Sequence, residues 1–152
     1  GSTVLGQVQS QPVGTLVTQM LTNTDFVLAE MLARVTSKQL GLAGTTASLT
    51  GAITGALNPY GVPTDGMVVT DGSGLATDNA VPAQYFAQLF AILNDGSGDA
   101  GIIMDALPVA GVSGALAGRF SGPNAIARGA VTAMPGELTT ARTLAGIVRA
   151  DD

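Results

Sequence analysis

Two serines flanked by glycine are the residues whose type and spacing first suggest chemistry. Ser73 lies in a Gly-Ser-Gly string and Ser113 in a Gly-Val-Ser-Gly string. A serine nucleophile at a strand-to-helix turn needs the pattern Gly-x-Ser-x-Gly and a histidine that accepts its proton. Neither string has that pattern, and the chain contains no histidine. Both strings therefore predict tight structural turns.

Four aspartates in glycine-rich or turn-forming stretches could suggest a calcium site. The calcium-loop pattern Asp-x-Asp-x-Asp-Gly with a distal glutamate is absent, so we interpret these stretches as solvated turns. The chain also lacks cysteine and histidine, which excludes His/Cys zinc sites, cysteine nucleophiles, disulfides and haem attachment. The sequence predicts no metal and no cofactor. The four aspartates are Asp71, Asp78, Asp95 and Asp99.

Composition narrows the function classes further. The chain has 152 residues, of which 46% are apolar and only 11% charged, and its net charge is −5. Lys38 is the single lysine and the five arginines are scattered, so a phosphate-binding surface for nucleic acid is excluded. No apolar stretch reaches the roughly 18 residues of a membrane span. No signal peptide is visible.

Hydrophobic periodicity predicts several helices. In the second helix, Asp25 or Thr24 supplies the N-cap and Gly41 the stop. Its expected buried side is Val27, Leu28, Met31, Leu32 and Val35. The long helices cover residues 13–21, 26–40, 45–57 and 81–93, and short ones cover residues 102–107 and 113–120.

Strand signals are fewer. Residues 4–8 predict a short strand or an extended entry, and residues 66–70 a strand that ends in the turn at 71–74. Residues 130–134 and 143–149 predict a hairpin joined around Pro135-Gly136-Glu137. Together these helices and strands predict one helix-rich α+β domain over residues 1–152.

Longer strings resemble a known family. Leu-Pro-Val-Ala-Gly-Val-Ser-Gly-Ala-Leu-Ala-Gly-Arg-Phe at residues 107–120 resembles the Leu-Pro-x-Ala-Gly-x-x-Gly-x-Leu-x-x-Arg-Phe segment of S13 D-alanyl-D-alanine carboxypeptidases, the DacB-like, penicillin-binding-protein-4-like enzymes. Residues 69–79 resemble that family's Asp-Gly-Ser-Gly-Leu-Ser-x-x-Asn segment. Residues 12–34 resemble its Ser-Asp-Asn helix, and residues 143–148 the strand after its Lys-Thr-Gly. The order of all four strings matches.

The resemblance implies the C-terminal part of a serine β-lactamase/penicillin-binding transpeptidase fold. Enzymes of this family cleave D-alanine from peptidoglycan stem peptides, or the cross-link, through an acyl-serine. Ser-x-x-Lys supplies the nucleophile and its base, and Ser-x-Asn relays a proton and holds the substrate amide. The cation of Lys-Thr-Gly attracts the substrate carboxylate, while its strand pairs with the substrate. The resemblance also implies a periplasmic, exocytoplasmic or cell-envelope location.

The chain departs from the family at all three motifs. It contains no Ser-x-x-Lys, so the segment carrying that motif is expected to be missing. Thr24, Asp25 and Phe26 align with Ser-x-Asn, and the Phe26 ring cannot form the amide's hydrogen bonds. Met134-Pro135-Gly136 aligns with Lys-Thr-Gly, so the cation is lost. Proline also removes a backbone donor and is poorly tolerated in a pairing strand.

Two interpretations compete. The chain is an inactive fragment or engineered derivative of such a carboxypeptidase, or it is a non-catalytic structural or self-assembling module. A peptidoglycan peptide is a partner only if activity is retained. We also expect a homo-oligomer, or a partner chain that completes the sheet, because strands near Met134 and Ile147 would otherwise leave an open edge.

Overall fold

A computed structural model describes residues 5–96 and 99–149 of the chain. Residues 5–12 form neither helix nor strand, which agrees with an extended entry, while Val4 lies outside the described residues. Residues 97 and 98 of the turn predicted around Asp95 and Asp99 also lie outside them.

In the part of the chain that the structure describes, five α-helices precede one β-hairpin. The predicted helices are confirmed near their expected positions, except that residues 113–120 form only a short 3-10 turn at Gly114–Leu116. The strand predicted at residues 66–70 is wrong, because a single bridge joins Val68 to Ala80 there. The elements are α1 Val13–Asn23, α2 Phe26–Gln39, α3 Leu49–Leu57, α4 Ala83–Asp95, α5 Ala100–Ala106, β1 Val131–Glu137 and β2 Arg142–Val148.

A tight junction joins α1 to α2. Thr24 has φ 54° and ψ 49°, the left-handed conformation that ends many helices, and the Asp25 N–H donates to the Met20 carbonyl. The Asp25 carboxylate accepts from the Leu28 N–H at 2.9 Å, which confirms it as the N-cap of α2. Only Thr24 and Asp25 therefore separate the two helices, and this short junction fixes where Thr24 and Phe26 lie.

Three of the five residues predicted to be buried on α2 are exposed, whereas Leu28 and Leu32 are half-buried. Val27, Met31 and Val35 are 71%, 57% and 52% exposed. Instead Ser37 is fully buried, and Ala33 lies against Gly72. The loop at Gly72 approaches α2 so closely that only small side chains fit between them. This close approach, and not hydrophobicity, determines which face of α2 is covered.

β1 and β2 pair antiparallel along their whole length, with Val131 opposite Val148 and Glu137 opposite Arg142. Residues 135–137 therefore belong to β1, and the predicted connection around them is wrong: the reversal comes after Glu137, where the Leu138 N–H donates to the Ala141 carbonyl. Hydrogen-bonded and non-hydrogen-bonded pairs alternate from there. Pro135 falls in a non-hydrogen-bonded pair, so its missing N–H costs the ladder nothing.

Among the described residues, two apolar clusters form the core. One joins Ala110 and Leu116 to the start of β1. The other centres on Phe90, Leu93 and Leu107, and the partly buried side chains around it include Met134. The hairpin thus packs against α4 and against the segment that follows α5. Among the described residues, no helix combines the length and the apolar character that a membrane crossing requires.

Candidate functional site

A cleft of about 590 Å³ opens where the α1–α2 junction, the loop after residue 70, the first turn of α4 and β1 meet. Its walls include Thr24 and Phe26 from the junction and Met134, Pro135 and Gly136 from β1. The two strings that align with Ser-x-Asn and Lys-Thr-Gly, more than one hundred residues apart in sequence, therefore line one cavity.

The junction presents one hydroxyl and one aromatic ring to this cleft. Thr24 holds its left-handed backbone conformation although it is β-branched, a combination that is uncommon and strained. Phe26 is 43% exposed at the start of α2. Asp25, the middle residue of the aligned triplet, is not a lining residue, because its carboxylate caps α2. At the position aligned with the asparagine the junction therefore offers no hydrogen-bonding group, and the Thr24 hydroxyl is its one polar side chain on the cleft.

Met134, on β1, is the residue that the family resemblance aligns with the lysine of Lys-Thr-Gly. Its thioether packs against the cluster of Phe90, Leu93 and Leu107, so this position now contributes to the core. The neighbouring Pro135 has no N–H, and Gly136 is exposed. β1 thus brings apolar surface to the cleft where the family resemblance implies a lysine.

The loop at residues 71–79 forms a wall that the sequence interpretation treated only as a turn. The Asp71 carboxylate accepts from the Ser73 hydroxyl at 2.7 Å, from the Asn79 amide at 2.7 Å and from the Ala76 N–H at 3.0 Å. It also accepts from the Gly74 N–H at 2.9 Å, where Gly74 has φ +79°. The predicted turn is confirmed, and its centre is this carboxylate.

Burial and hydrogen bonding shift the pKa of Asp71 in opposite directions. Partial burial by itself would raise the pKa of Asp71, but the hydrogen bonds from Asn79, Ser73, Ala76 and Gly74 outweigh it and hold the pKa below its usual value. A carboxylate with a lowered pKa is a weak base. The Ser73 hydroxyl donates to this carboxylate and so helps to hold the turn.

Glu30 fastens this loop to α2. One oxygen of its carboxylate accepts from the Gly72 N–H and the other binds the Arg34 guanidinium at 2.6 Å. The Arg34 hydrogen bond, aided by that from Gly72, holds the pKa of Glu30 below its usual value in spite of some desolvation. A Cβ on Gly72 would lie 2.5 Å from the Cβ of Ala33. Only glycine fits between loop and helix here.

No described cation lines the cleft itself, although Arg142 pairs with the lining residue Glu137. Lys38 is in the last turn of α2, where its aliphatic stem covers Gly44. Arg142 binds Glu137 at 2.8 Å, and the two side chains are 82% and 69% exposed. Across residues 5–96 and 99–149, no arginine or lysine is among the residues that line the cleft. Within those same ranges, no three acidic side chains are arranged to hold a metal ion.

The second serine string is structural. The Ser113 hydroxyl accepts from the Val109 N–H at 3.1 Å, and a Cβ on Gly114 would lie 2.9 Å from the Pro108 ring. Leu107, Ala110 and Leu116 of the same string are buried. The segment at residues 107–120 therefore pairs with and packs against the start of β1, and none of its residues is among those that line the cleft.

The chain is similar in sequence to known carboxypeptidases. The model of the D-Ala-D-Ala carboxypeptidase 3 (S13) family matches residues 1–152. Carboxypeptidase DacB of Mycolicibacterium smegmatis is 34% identical over 97% of this chain. The D-alanyl-D-alanine carboxypeptidase of Actinomadura sp. is 38% identical over 79% of it. The chain spans 33% and 23% of these two relatives.

Solved structures show the same fold. Penicillin-binding protein 4 of Haemophilus influenzae superposes on 91% of this chain with a TM-score of 0.78 at 26% sequence identity. The same protein complexed with a β-lactam gives a TM-score of 0.77 at 25% identity. The chain covers 31% and 36% of those structures. The architecture is thus part of the penicillin-binding transpeptidase fold. The prediction of a helix-rich α+β fold of this type is confirmed.

Proposed function

Because this chain belongs to the D-Ala-D-Ala carboxypeptidase 3 (S13) family, we propose that it is a cell-envelope, peptidoglycan-associated protein whose cleft has lost acyl-transfer chemistry. The observation that carries this proposal is Met134. Acyl transfer in this family depends on a cation that attracts the carboxylate of the substrate, and here the aligned side chain is an apolar thioether packed into the core.

The remaining cleft residues support the same proposal. Phe26 offers no amide, and the Thr24 hydroxyl has no lysine beside it. The hydroxyl of Ser73 donates to a carboxylate of lowered pKa. Transition-state charge would therefore develop with no positive side chain among the described residues of the cleft to stabilise it. A Ser-x-x-Lys segment supplied by further chain would still meet this altered cleft.

Gel labelling with a fluorescent penicillin tests the proposal, with penicillin-binding protein 4 of Haemophilus influenzae as the positive control. We expect the control to be labelled and this protein to stay unlabelled. A matched variant, Met134→Lys with Pro135→Thr and Phe26→Asn, restores the aligned family residues. Labelling of the unaltered protein at the intensity of the control would contradict the proposal.

A structural or self-assembling role is the second candidate. In the described part of the chain the sheet has two strands, so the outer edge of β2 has no strand beside it. Val148 on β2 is 72% exposed, and the α2 stripe of Val27, Met31 and Val35 is exposed as well. An open edge next to apolar surface pairs readily with another chain. We therefore propose that a second copy, or a partner chain, completes the sheet.

A further inference from the structure

Three aspartates of this chain are each followed directly by glycine, at Asp65-Gly66, Asp71-Gly72 and Asp95-Gly96. The amide nitrogen of the following residue can attack an aspartyl carboxyl group, and glycine hinders this attack least because it has no side chain. In a folded protein the rate depends on how firmly the carboxyl group and the amide nitrogen are held. The structure holds the three pairs very differently.

The pair Asp71-Gly72 is fixed at both reacting groups. The Asp71 carboxylate accepts hydrogen bonds from several donors of its own loop, and the Gly72 N–H donates to the Glu30 carboxylate. The attack also needs a protonated carboxyl group, whose hydroxyl leaves. Those hydrogen bonds hold the pKa of Asp71 below its usual value, so the protonated form is rarer. Reaction here requires the loop to leave α2 and to lose its internal hydrogen bonds.

The pair Asp95-Gly96 is held at the amide nitrogen. Asp95 is the last residue of α4, and the Gly96 N–H donates to the Leu93 carbonyl at 3.2 Å, which closes the helix. This nitrogen must leave that hydrogen bond before it can approach the Asp95 side chain.

The pair Asp65-Gly66 is held at neither group. The two residues form the centre of a turn that is closed by one hydrogen bond, from the Met67 N–H to the Thr64 carbonyl at 3.1 Å. Both residues are exposed, and within residues 5–96 and 99–149 neither the Asp65 carboxylate nor the Gly66 N–H has a hydrogen-bond partner. A Cβ on Gly66 would meet nothing within 4 Å, so the peptide between the two residues has space to rotate.

We propose that Asp65-Gly66 is a site of spontaneous main-chain isomerisation, at which an isoaspartyl linkage forms in the folded protein. The Gly66 nitrogen attacks Cγ of the protonated Asp65 carboxyl group. The new N–Cγ bond closes a cyclic succinimide, and the carboxyl hydroxyl leaves with the proton of the nitrogen as water.

Water then opens the succinimide at one of its two carbonyls. Opening at the main-chain carbonyl of Asp65 breaks the original C–N bond, so that the chain runs through Cβ and Cγ as isoaspartate. Opening at Cγ breaks the new N–Cγ bond and restores aspartate. One water leaves and one is consumed, so the reaction needs no other reactant and leaves the mass of the chain unchanged.

The isomerisation lengthens the main chain beside the cleft. Isoaspartate adds one backbone carbon between Thr64 and Met67, the residues whose hydrogen bond closes the turn. Met67 is buried and lines the cleft. Two residues further on, the Val69 N–H donates to the Thr50 hydroxyl at 3.0 Å, which fastens this segment to α3. The extra carbon therefore lies directly beside a cleft wall, and this inference does not depend on the non-catalytic function proposed above.

Incubation of the folded protein in heavy-oxygen water tests the proposal, because each succinimide that opens takes one labelled oxygen from the solvent. Peptide mapping by mass spectrometry locates the label, and electron-transfer fragmentation distinguishes isoaspartate from aspartate. Over weeks in mildly acidic to neutral buffer we expect Asp65 to be labelled at least about tenfold faster than Asp71, a difference of about 1.4 kcal/mol in activation free energy. Asp71 is the internal control, because the same dipeptide reacts there.

The same incubation in concentrated urea is the control for the role of the fold. Unfolding removes the turn, the loop and the Glu30 contact, so the rates at Asp65 and Asp71 should come within about threefold of each other. Asp65→Glu keeps the charge on the turn but requires a larger ring, so this position should stay unlabelled.

Glu30→Ala tests the protection of the second pair. It releases the Gly72 N–H and should raise labelling at Asp71 about fivefold or more, while labelling at Asp65 stays within about twofold. The proposal would be overturned if Asp71 were labelled as fast as Asp65 in the folded protein. Labelling at Asp65 no greater than in Asp65→Glu, the same ratio of rates in urea, or no effect of Glu30→Ala on Asp71 would also overturn it.

Discussion

The Glu30 carboxylate accepts a hydrogen bond from the Gly72 N–H, so the cleft wall formed by the loop at residues 71–79 is held directly on α2. Glu30 lies one helical turn beyond Phe26, and the same helix begins at the junction that contains Thr24. Two walls of the cleft are therefore coupled through one side chain. The lowered pKa of Glu30, due first to Arg34 and then to Gly72, keeps this acceptor ionised near neutral pH.

A methyl group at this contact should be costly. In Gly72→Ala the new Cβ would lie 2.5 Å from the Ala33 Cβ and 3.2 Å from the Glu30 Cα, so loop and helix must separate. We expect a loss of about 2 kcal/mol or more in the free energy of unfolding, typical of overpacking against backbone. Urea denaturation measures it. Gly118→Ala, where nothing lies within 4 Å, is the control and should stay within about 0.5 kcal/mol.

The conformation of Gly74 gives a second test of the same loop. Its φ of +79° is strained for any residue with a Cβ, and most of all for a β-branched one. Gly74→Val should therefore lower the free energy of unfolding by about 2 kcal/mol or more.

Ser73→Ala is the comparison for that variant. It removes one hydrogen bond to Asp71, whose carboxylate keeps the Gly74, Ala76 and Asn79 donors, so we expect a loss of about 1 kcal/mol or less. Thermal or urea unfolding of both variants gives the two values. Equal, small losses would show that the turn does not depend on positive φ at Gly74.

Acid should loosen this loop in a defined pH range. Asp71 has a pKa below its usual 3.8 in the folded protein, so its ionised form stabilises the folded state. That contribution is complete above the unfolded-state value and disappears as the pH falls through the folded-state pKa. The urea concentration at the midpoint of unfolding should therefore decrease as the pH is lowered from about 5 to about 3.

Asp71→Asn is the variant that isolates this contribution. It should be less stable than the unaltered protein near neutral pH and should lose less stability on acidification. Some dependence will remain, because the pKa of Glu30 is lowered too and its usual value is 4.5. A variant with the same pH slope as the unaltered protein would show that Asp71 does not provide the effect.

Much of the helical part of the fold could be predicted from sequence. Asp25 as an N-cap and Gly41 as a stop gave the bounds of α2 nearly correctly, since these signals act within a few residues. The buried face of α2 could not be predicted. Periodicity indicates that Val27, Met31 and Val35 share a face, but it does not indicate what covers them, and the loop at Gly72 packs on the Ala33 side.

The sequence predicted some of the residues of the candidate site and missed others. The family resemblance pointed to Thr24, Phe26, Met134, Pro135 and Gly136, and all five line one cleft. Asp25, the middle residue of the aligned triplet and the predicted N-cap of α2, does not line the cleft, because its carboxylate caps the helix. The wall at residues 71–79 was missed. The Asp-Gly-Ser-Gly string signalled its turn, but the long-range contact of Gly72 with Glu30 leaves no local pattern in the sequence.

We expect copies of this chain to associate through the open edge of β2. Static light scattering over a dilution series is expected to show a mass above that of one chain, because the edge and its apolar side chains invite pairing. Val148→Lys places a charge on this strand, where Val148 is 72% exposed, and should shift the mass toward the monomer. Ile126→Lys, at a residue 92% exposed outside the sheet, is the control and should not. A monomeric unaltered protein at high concentration would argue against association.

The loss of acyl transfer is the central claim, and the intact mass of the full chain after incubation with benzylpenicillin tests it most directly. Acylation requires a serine, a base and a cation for the carboxylate, whereas the described cleft presents Met134 and Phe26 at the aligned positions. The account predicts an unchanged mass at excess penicillin, at neutral pH and over hours. A stoichiometric increase equal to one penicillin per chain would contradict it.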